Sequence, residues 1–379
     1  MRVRQASAHR GFGTDRLFLL LTVLLVSYGT MTVFSAGVAY AEVRYGDALY
    51  FVKRQTVWLL IGAVFLIVGS RITPGIYKKY TPHAYALTLV LLVLVLAVGF
   101  VGNGAQRWIS VGPLTIQPSE IGKLTLLMML AYYFDRAGAR AVERRNRARS
   151  FIFGTLIPFL IMLCPILLVM LQRHLSCIII LGLIGMLMIF ISGTDARYLG
   201  GFVGLGAVGV SCIALFTDYT KERITVWQNP EAYKLTGGWQ TLQGLMAIGS
   251  GGLFGVGYGE SLLKHSYVSE PANDMIFAIL CEESGFVGAL AALLLFALLI
   301  WRGCTIALRS SDRFSRLVGL GIMIKLGVQV LLNVAVVTNT IPNTGISLPF
   351  FSYGGSSLIM MLFEMGIMLS VSRTARRTK

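Results

Sequence analysis

Apolar positions in this chain gather into long unbroken runs rather than alternating or one-sided patterns. Ten such runs stand near residues 17–36, 57–70, 84–101, 119–134, 151–170, 175–192, 199–216, 274–302, 317–340 and 354–371. A helix needs roughly 20 apolar residues to cross a bilayer, and most of the runs approach that length. They predict an all-α polytopic membrane protein with about ten transmembrane helices. One integral membrane domain then fills residues 1–379, with no soluble domain, low-complexity tract or long repeat.

Loop length is uneven. Most connections are short, but residues 217–273 separate the seventh and eighth runs. Loops that long inside a compact protein are usually functional or disordered. This one carries aromatics and a glycine cluster (Gly249, Gly251, Gly252, Gly255, Gly257 and Gly259) within otherwise apolar sequence. It predicts ordered re-entrant or interfacial structure, which survives only where its backbone is buried or meets water. No strand precedes the glycines, which argues against a nucleotide-binding loop.

Composition agrees with a membrane setting: 55% of residues are hydrophobic and 13% charged, with mean hydropathy +0.73. Charge then sets orientation. With a cytoplasmic N-terminus and alternating spans, the inner segments hold 22 of the 33 Lys and Arg residues. That bias follows the positive-inside rule, so both termini are expected in the cytoplasm and the 217–273 loop outside it. The net charge of +16 is mostly a topology signal. The basic run from Arg136 to Arg149 suits a loop beside anionic lipid better than a nucleic-acid site. Ala39-Tyr40-Ala41 imitates a signal-peptide cleavage site, but the run before it is long for one, so an uncleaved first span is expected. The five cysteines (Cys164, Cys177, Cys212, Cys281 and Cys304) lack metal-ligand spacing and read as small packing residues.

The acidic residue that stands out is Asp274, where the long loop meets the eighth run. A carboxylate at a membrane boundary is costly to desolvate, which marks a candidate for chemistry or ion handling. Other polar groups collect on the same side. Arg107 and Trp108 precede the fourth span, which opens Gln117-Pro118-Ser119-Glu120 and reaches Lys123. Proline suits a first helical turn, and Glu120 and Lys123, three apart, share a face and can pair. Arg173 and His174 follow the fifth span; Lys221, Arg223 and Lys264 lie in the long loop. The segment from Pro342 to Ser357 breaks the helix with prolines and glycines, freeing backbone groups to line a cavity. Lys325 and Glu364 lie within spans, as a buried pair or as snorkelling side chains.

Together these segments resemble the SEDS family of bacterial membrane proteins (shape, elongation, division and sporulation), known as FtsW, RodA and SpoVE. The resemblance rests on Gly104-Ala105-Gln106-Arg107-Trp108, on Gln117 to Lys123, and on Ala247 to Gly257. It rests also on Glu270 to Glu283, and on Asn333 with Pro342 to Ser357. It runs nearly the whole chain and is nearer the FtsW/SpoVE branch. Where many members carry Pro-Asp-Leu-Gly, this chain has Arg173-His174-Leu175-Ser176, which puts in doubt any acidic role at that place.

The resemblance implies a peptidoglycan glycosyltransferase at the outer face of the bacterial cytoplasmic membrane. Its substrate would be lipid II, the undecaprenyl-pyrophosphate-linked disaccharide-pentapeptide. Its partners would be a class B penicillin-binding protein and other divisome or elongasome membrane proteins. Asp274 would be the catalytic base. Arg107, Lys123, Arg173, Lys221, Arg223 and Lys264 would meet the pyrophosphate, with Glu120 orienting Lys123 or helping to hold Mg²⁺. Mn²⁺ would serve as well, and no organic cofactor is expected. Gln240, Gln243, Ser250, Thr344 and Ser352 are candidates for sugar contacts, or for satisfying loop backbone. A lipid II flippase and a noncatalytic scaffold for the penicillin-binding protein remain alternatives on the same residues.

Overall fold

The computed structural model describes residues 14–102, 105–111, 114–138, 147–195, 197, 198, 200, 201, 204, 218–264 and 272–374. The seventh apolar run lies almost wholly outside these residues, as do Gly104, Cys212, Glu270 and both termini. The other nine runs are helices: α1 (Arg16–Tyr45), α2 (Tyr50–Arg71), α3 (Pro74–Val98), α4 (Pro118–Ala137), α5 (Ala148–Leu171), α6 (Leu175–Ile191), α9 (Ile276–Leu308), α10 (Arg313–Val337) and α11 (Gly355–Thr374). Two more, α7 (Asp218–Gln228) and α8 (Trp239–Ser250), stand inside the long loop.

Seven of the nine are long and apolar enough to cross a membrane. α6 is shorter, and α4 carries Glu120, Lys123 and Asp135 within its 20 residues. The chain is a mostly helical, multi-pass membrane protein. Most helices exceed the apolar runs that announced them, since their ends continue into polar residues. Asp15 caps α1 through Phe18 N–H at 2.9 Å, and Asp312 caps α10 through Ser315 N–H at 3.0 Å. Pro118 occupies the first turn of α4, as expected.

One difference from an all-helical chain appears between α3 and α4. Three short strands, β1 (Phe100–Gly102), β2 (Ala105–Val111) and β3 (Leu114–Ile116), form an antiparallel meander. A connection at a membrane boundary must satisfy its backbone internally, and the strand ladder does so.

α11 is the most buried span; it packs along α2, while α9 packs on α10 and α1, and α4 on α3 and α10. Lys325 of α10 and Glu364 of α11 meet at 2.5 Å with almost no exposure. They are the buried pair, one of the two expectations for them. Removing one member of such a pair costs about 3–5 kcal/mol, because the other charge is stranded.

The glycine cluster folds onto a break in α9. Gly285 has φ 64°, which interrupts the helical ladder and releases the backbone groups beside it. The loop takes them up. Val256 and Gly257 N–H donate to the Glu282 and Glu283 carbonyls at 3.0 and 3.1 Å, and Phe286 and Val287 N–H donate to Gly252 and Leu253 carbonyls at 2.9 and 3.1 Å. The Glu282 and Glu283 side chains hold the same hairpin: Ser261 Oγ donates to Glu282 at 2.5 Å, and Lys264 pairs with Glu283 at 2.9 Å.

Candidate functional site

Asp274 sits half-buried just ahead of α9, and its surroundings are built from three distant parts of the chain. From α8, Gln240 Nε2 donates to Asp274 Oδ1 at 3.3 Å. From α10, Asn333 Nδ2 donates to the Asp274 carbonyl at 3.0 Å and to the Ile346 carbonyl at 2.7 Å. A single buried amide thus joins the residue to the segment after α10. That segment is fastened at a second point. Ser352 Oγ donates to the Asn273 carbonyl and accepts from Leu348 N–H, both at 2.7 Å.

The segment after α10 also lies beside the carboxylate itself. A side chain on Gly345 (φ 69°) would begin 3.6 Å from Asp274 Oδ2. Asn343 Nδ2 donates to Gln240 Oε1 at 3.2 Å, and Arg223 of α7 donates to the Asn343 carbonyl. Trp227, one turn along α7, donates to the Asn339 carbonyl at 3.0 Å. Thus α7, α8 and the 342–352 segment form one hydrogen-bonded body around Asp274.

A second group adjoins it. Ser176 Oγ donates to the Thr344 carbonyl, tying the start of α6 to the residue beside Gly345. Just before it, the exposed Arg173 (φ 54°) offers its carbonyl to Arg107 Nη2 at 2.6 Å. His174 is buried here, and that burial, with the nearby Arg107 and Lys123 charges, pushes its imidazole down to about 3. It is therefore neutral at ordinary pH. Glu120 and Lys123 pair at 2.7 Å, both buried.

The structure therefore brings Asp274, Gln240, Arg223, Thr344 and Ser352 together, and sets Arg107, Arg173, Glu120 and Lys123 alongside through Ser176 and His174. Other candidates lie elsewhere. Lys264 pairs with Glu283, about 2.5 turns down the chain from Asp274. Ser250 donates to the Ala247 carbonyl within α8 at 3.0 Å. Gln243 is buried on α8, and Lys221 is exposed on α7. Among the described residues, no cluster of three or more His, Cys, Asp or Glu side chains is placed to hold a metal ion, and Glu120 Oε1 is taken by Lys123.

Three participants were not among the sequence candidates: Asn343, Asn333 and Ser176. Asn343 had a signal, since Asn-x-Gly favours the turn in which its side chain accepts from Gly345 N–H at 3.0 Å. Asn333 had one too, as an amide inside an apolar span. Ser176 had none beyond its neighbours.

Residues 15–377 match the profile of the cell cycle protein family FtsW/RodA/SpoVE. Stage V sporulation protein E of Bacillus subtilis is 38% identical over 367 residues, covering 96% of this chain and 98% of that protein. A probable peptidoglycan glycosyltransferase FtsW of Geobacter metallireducens is 34% identical, covering 96% of each. Among solved structures, a chain from a peptidoglycan synthase complex studied for the coordination of polymerization and crosslinking superposes with TM-score 0.79. It is 29% identical, with 95% of this chain and 98% of that chain covered. With this agreement over nearly its full length, the chain belongs to the FtsW/RodA/SpoVE family.

Proposed function

We infer that this protein is a peptidoglycan glycosyltransferase, which joins lipid II units into glycan strands and releases undecaprenyl pyrophosphate. The observation that carries the assignment of chemistry is the seating of Asp274. Its carboxylate is held by Gln240 and its backbone by Asn333, at the place where α7, α8 and the 342–352 segment converge. Asp274 takes the proton from the attacking sugar hydroxyl as the glycosidic bond forms. A positioned base of this kind contributes roughly 10²–10⁴-fold.

The leaving pyrophosphate develops negative charge that fixed cations stabilise. Arg223, Arg107 and Arg173 are the guanidinium groups assigned to this charge, and Lys221 is exposed on α7 with Arg223. Lys123 and Lys264, each buried against a glutamate, act as supports. Thr344 and Ser352 shape the wall, Gln243 is buried within α8, and Ser250 stays with its helix. A Mg²⁺ or Mn²⁺ ion would supply charge neutralisation at the leaving group, held by the substrate phosphates with help from Glu120 Oε2, the oxygen that Lys123 does not engage. A class B penicillin-binding protein completes the enzyme by crosslinking, and the pair works at the cytoplasmic membrane.

The test is glycan-strand formation from labelled lipid II by the purified protein with its penicillin-binding partner. Asp274→Asn keeps the shape and removes the base. Polymer from wild type and none from the folded variant is expected; equal polymer from both removes Asp274 as base. In the same assay chelator should abolish polymer and added Mg²⁺ or Mn²⁺ restore it, whereas full activity in chelator removes the ion.

A further inference from the structure

The amide groups around Asp274 form a chain whose direction is set at one end by the backbone. Gly345 N–H can only donate, and it donates to Asn343 Oδ1 at 3.0 Å. That places Asn343 Nδ2 on the other side, where it donates to Gln240 Oε1 at 3.2 Å. Gln240 must then present Nε2, not its oxygen, to Asp274 Oδ1 at 3.3 Å. Each link follows from the donor and acceptor inventory of an amide, and each hydrogen bond polarises the next.

We propose that Asn343 and Gln240 are positioning residues for this reaction: their one-way donor chain pins Oδ1 of Asp274 as an acceptor and favours the carboxylate over the carboxylic acid. This rests on the reading of Asp274 as the base. Gly345 contributes at both ends. Its N–H starts the chain, and its missing side chain leaves the space beside Oδ2, where a Cβ would stand at 3.6 Å.

Among the described residues, the charged group joined to the chain is the Arg223 guanidinium on α7, which donates to the Asn343 carbonyl. α8 has no charged residue, and neither does the stretch from Gln329 to Gly354 that closes α10 and continues through the segment behind it. His174, ahead of α6, is linked through Ser176 and Thr344 and is uncharged at working pH. The two amides of this chain are uncharged, so an isosteric change can reverse the polarity they present to Asp274 Oδ1.

Asn343→Asp is that change. The new carboxylate still accepts from Gly345 N–H but cannot donate to Gln240. Gln240 turns its amide over and points Oε1 at Asp274, so acceptor faces acceptor. The expected result is a kcat loss with little change in KM, and an acid limb of the pH–rate profile moved up by about one unit, roughly tenfold in rate on that limb. Activity should recover toward wild type at higher pH. Gln240→Glu, which sets two carboxylates side by side, should move the limb in the same direction and serves if Asn343→Asp does not fold. Asn343→Ala cuts the chain without reversing it and should lower kcat with a smaller shift.

Lipid II polymerisation with the penicillin-binding partner is the readout, and Asp274→Asn runs beside it. If Asp274→Asn is inactive while both acidic variants lose rate equally at every pH, the amides are structural only and the proposal fails. If Asp274→Asn is active, the assignment of the base fails first.

Discussion

His174 shows what this site does to a single side chain. It is enclosed before the first turn of α6 near Arg107 and Lys123, and its imidazole is held down to about 3 in the folded protein, against about 6.5 unfolded. The unfolded chain therefore gains a proton on the way down from pH 6.5, and the folded protein does not until about 3. Stability is complete above pH 6.5 and declines through that window by roughly 1 kcal/mol per pH unit. Thermal unfolding between pH 7 and 5 should show this slope, and His174→Asn should flatten it; an unchanged slope in the variant assigns the loss to other groups. Asp274 was legible at this scale because an acid beside an apolar run is conspicuous. Gln240 was legible only as a polar residue in a promising loop. What it donates to depends on Asn343, over 100 residues away, and a pairing across that separation leaves no local pattern.

Among the elements, the hairpin after α8 and the break in α9 have to be understood together. A side chain on Gly255 (φ 80°) would begin 2.2 Å from the Glu283 carbonyl oxygen, and one on Gly285 would begin 2.3 Å from Gly255 N. Left-handed backbone costs an ordinary residue about 1–2 kcal/mol, and these collisions come on top of it. Gly255→Ala and Gly285→Ala should each sharply reduce the yield and unfolding temperature of the purified protein. Gly249, in α8 with open space at its Cβ, is the control, and its alanine variant should fold normally. Similar unfolding temperatures for all three would mean that the hairpin does not depend on this contact. The glycine cluster announced ordered structure in the loop. Gly285 gave no such notice, since a lone glycine in an apolar run is tolerated in a continuous helix.

Across the whole molecule, hydrophobic length was enough to locate nine of the ten runs as helices, because an apolar stretch in lipid has few alternatives. The meander between α3 and α4 was hidden, as its strands are only three to seven residues long. Basic residues at alternate connections predict the 217–273 loop outside and the C-terminus inside. In a cysteine-free background, Leu235→Cys, highly exposed, should react with a membrane-impermeant maleimide on intact cells, and Thr374→Cys should react only after lysis. Labelling of Thr374→Cys on intact cells would reverse the topology.

The double attachment of Asn333, to the Asp274 and Ile346 carbonyls, has a consequence for biogenesis. Asn333 of α10 and Ser352 beyond it, which fasten Asp274 and Asn273, are synthesised after them. At about 5–20 residues per second, several seconds pass between the ribosome adding Asp274 and adding the residues that seat it. During that interval the growing chain already holds most of its apolar helices, but the base proposed at Asp274 is not yet seated; on that reading, synthesis through Ser352 is the step that assembles it.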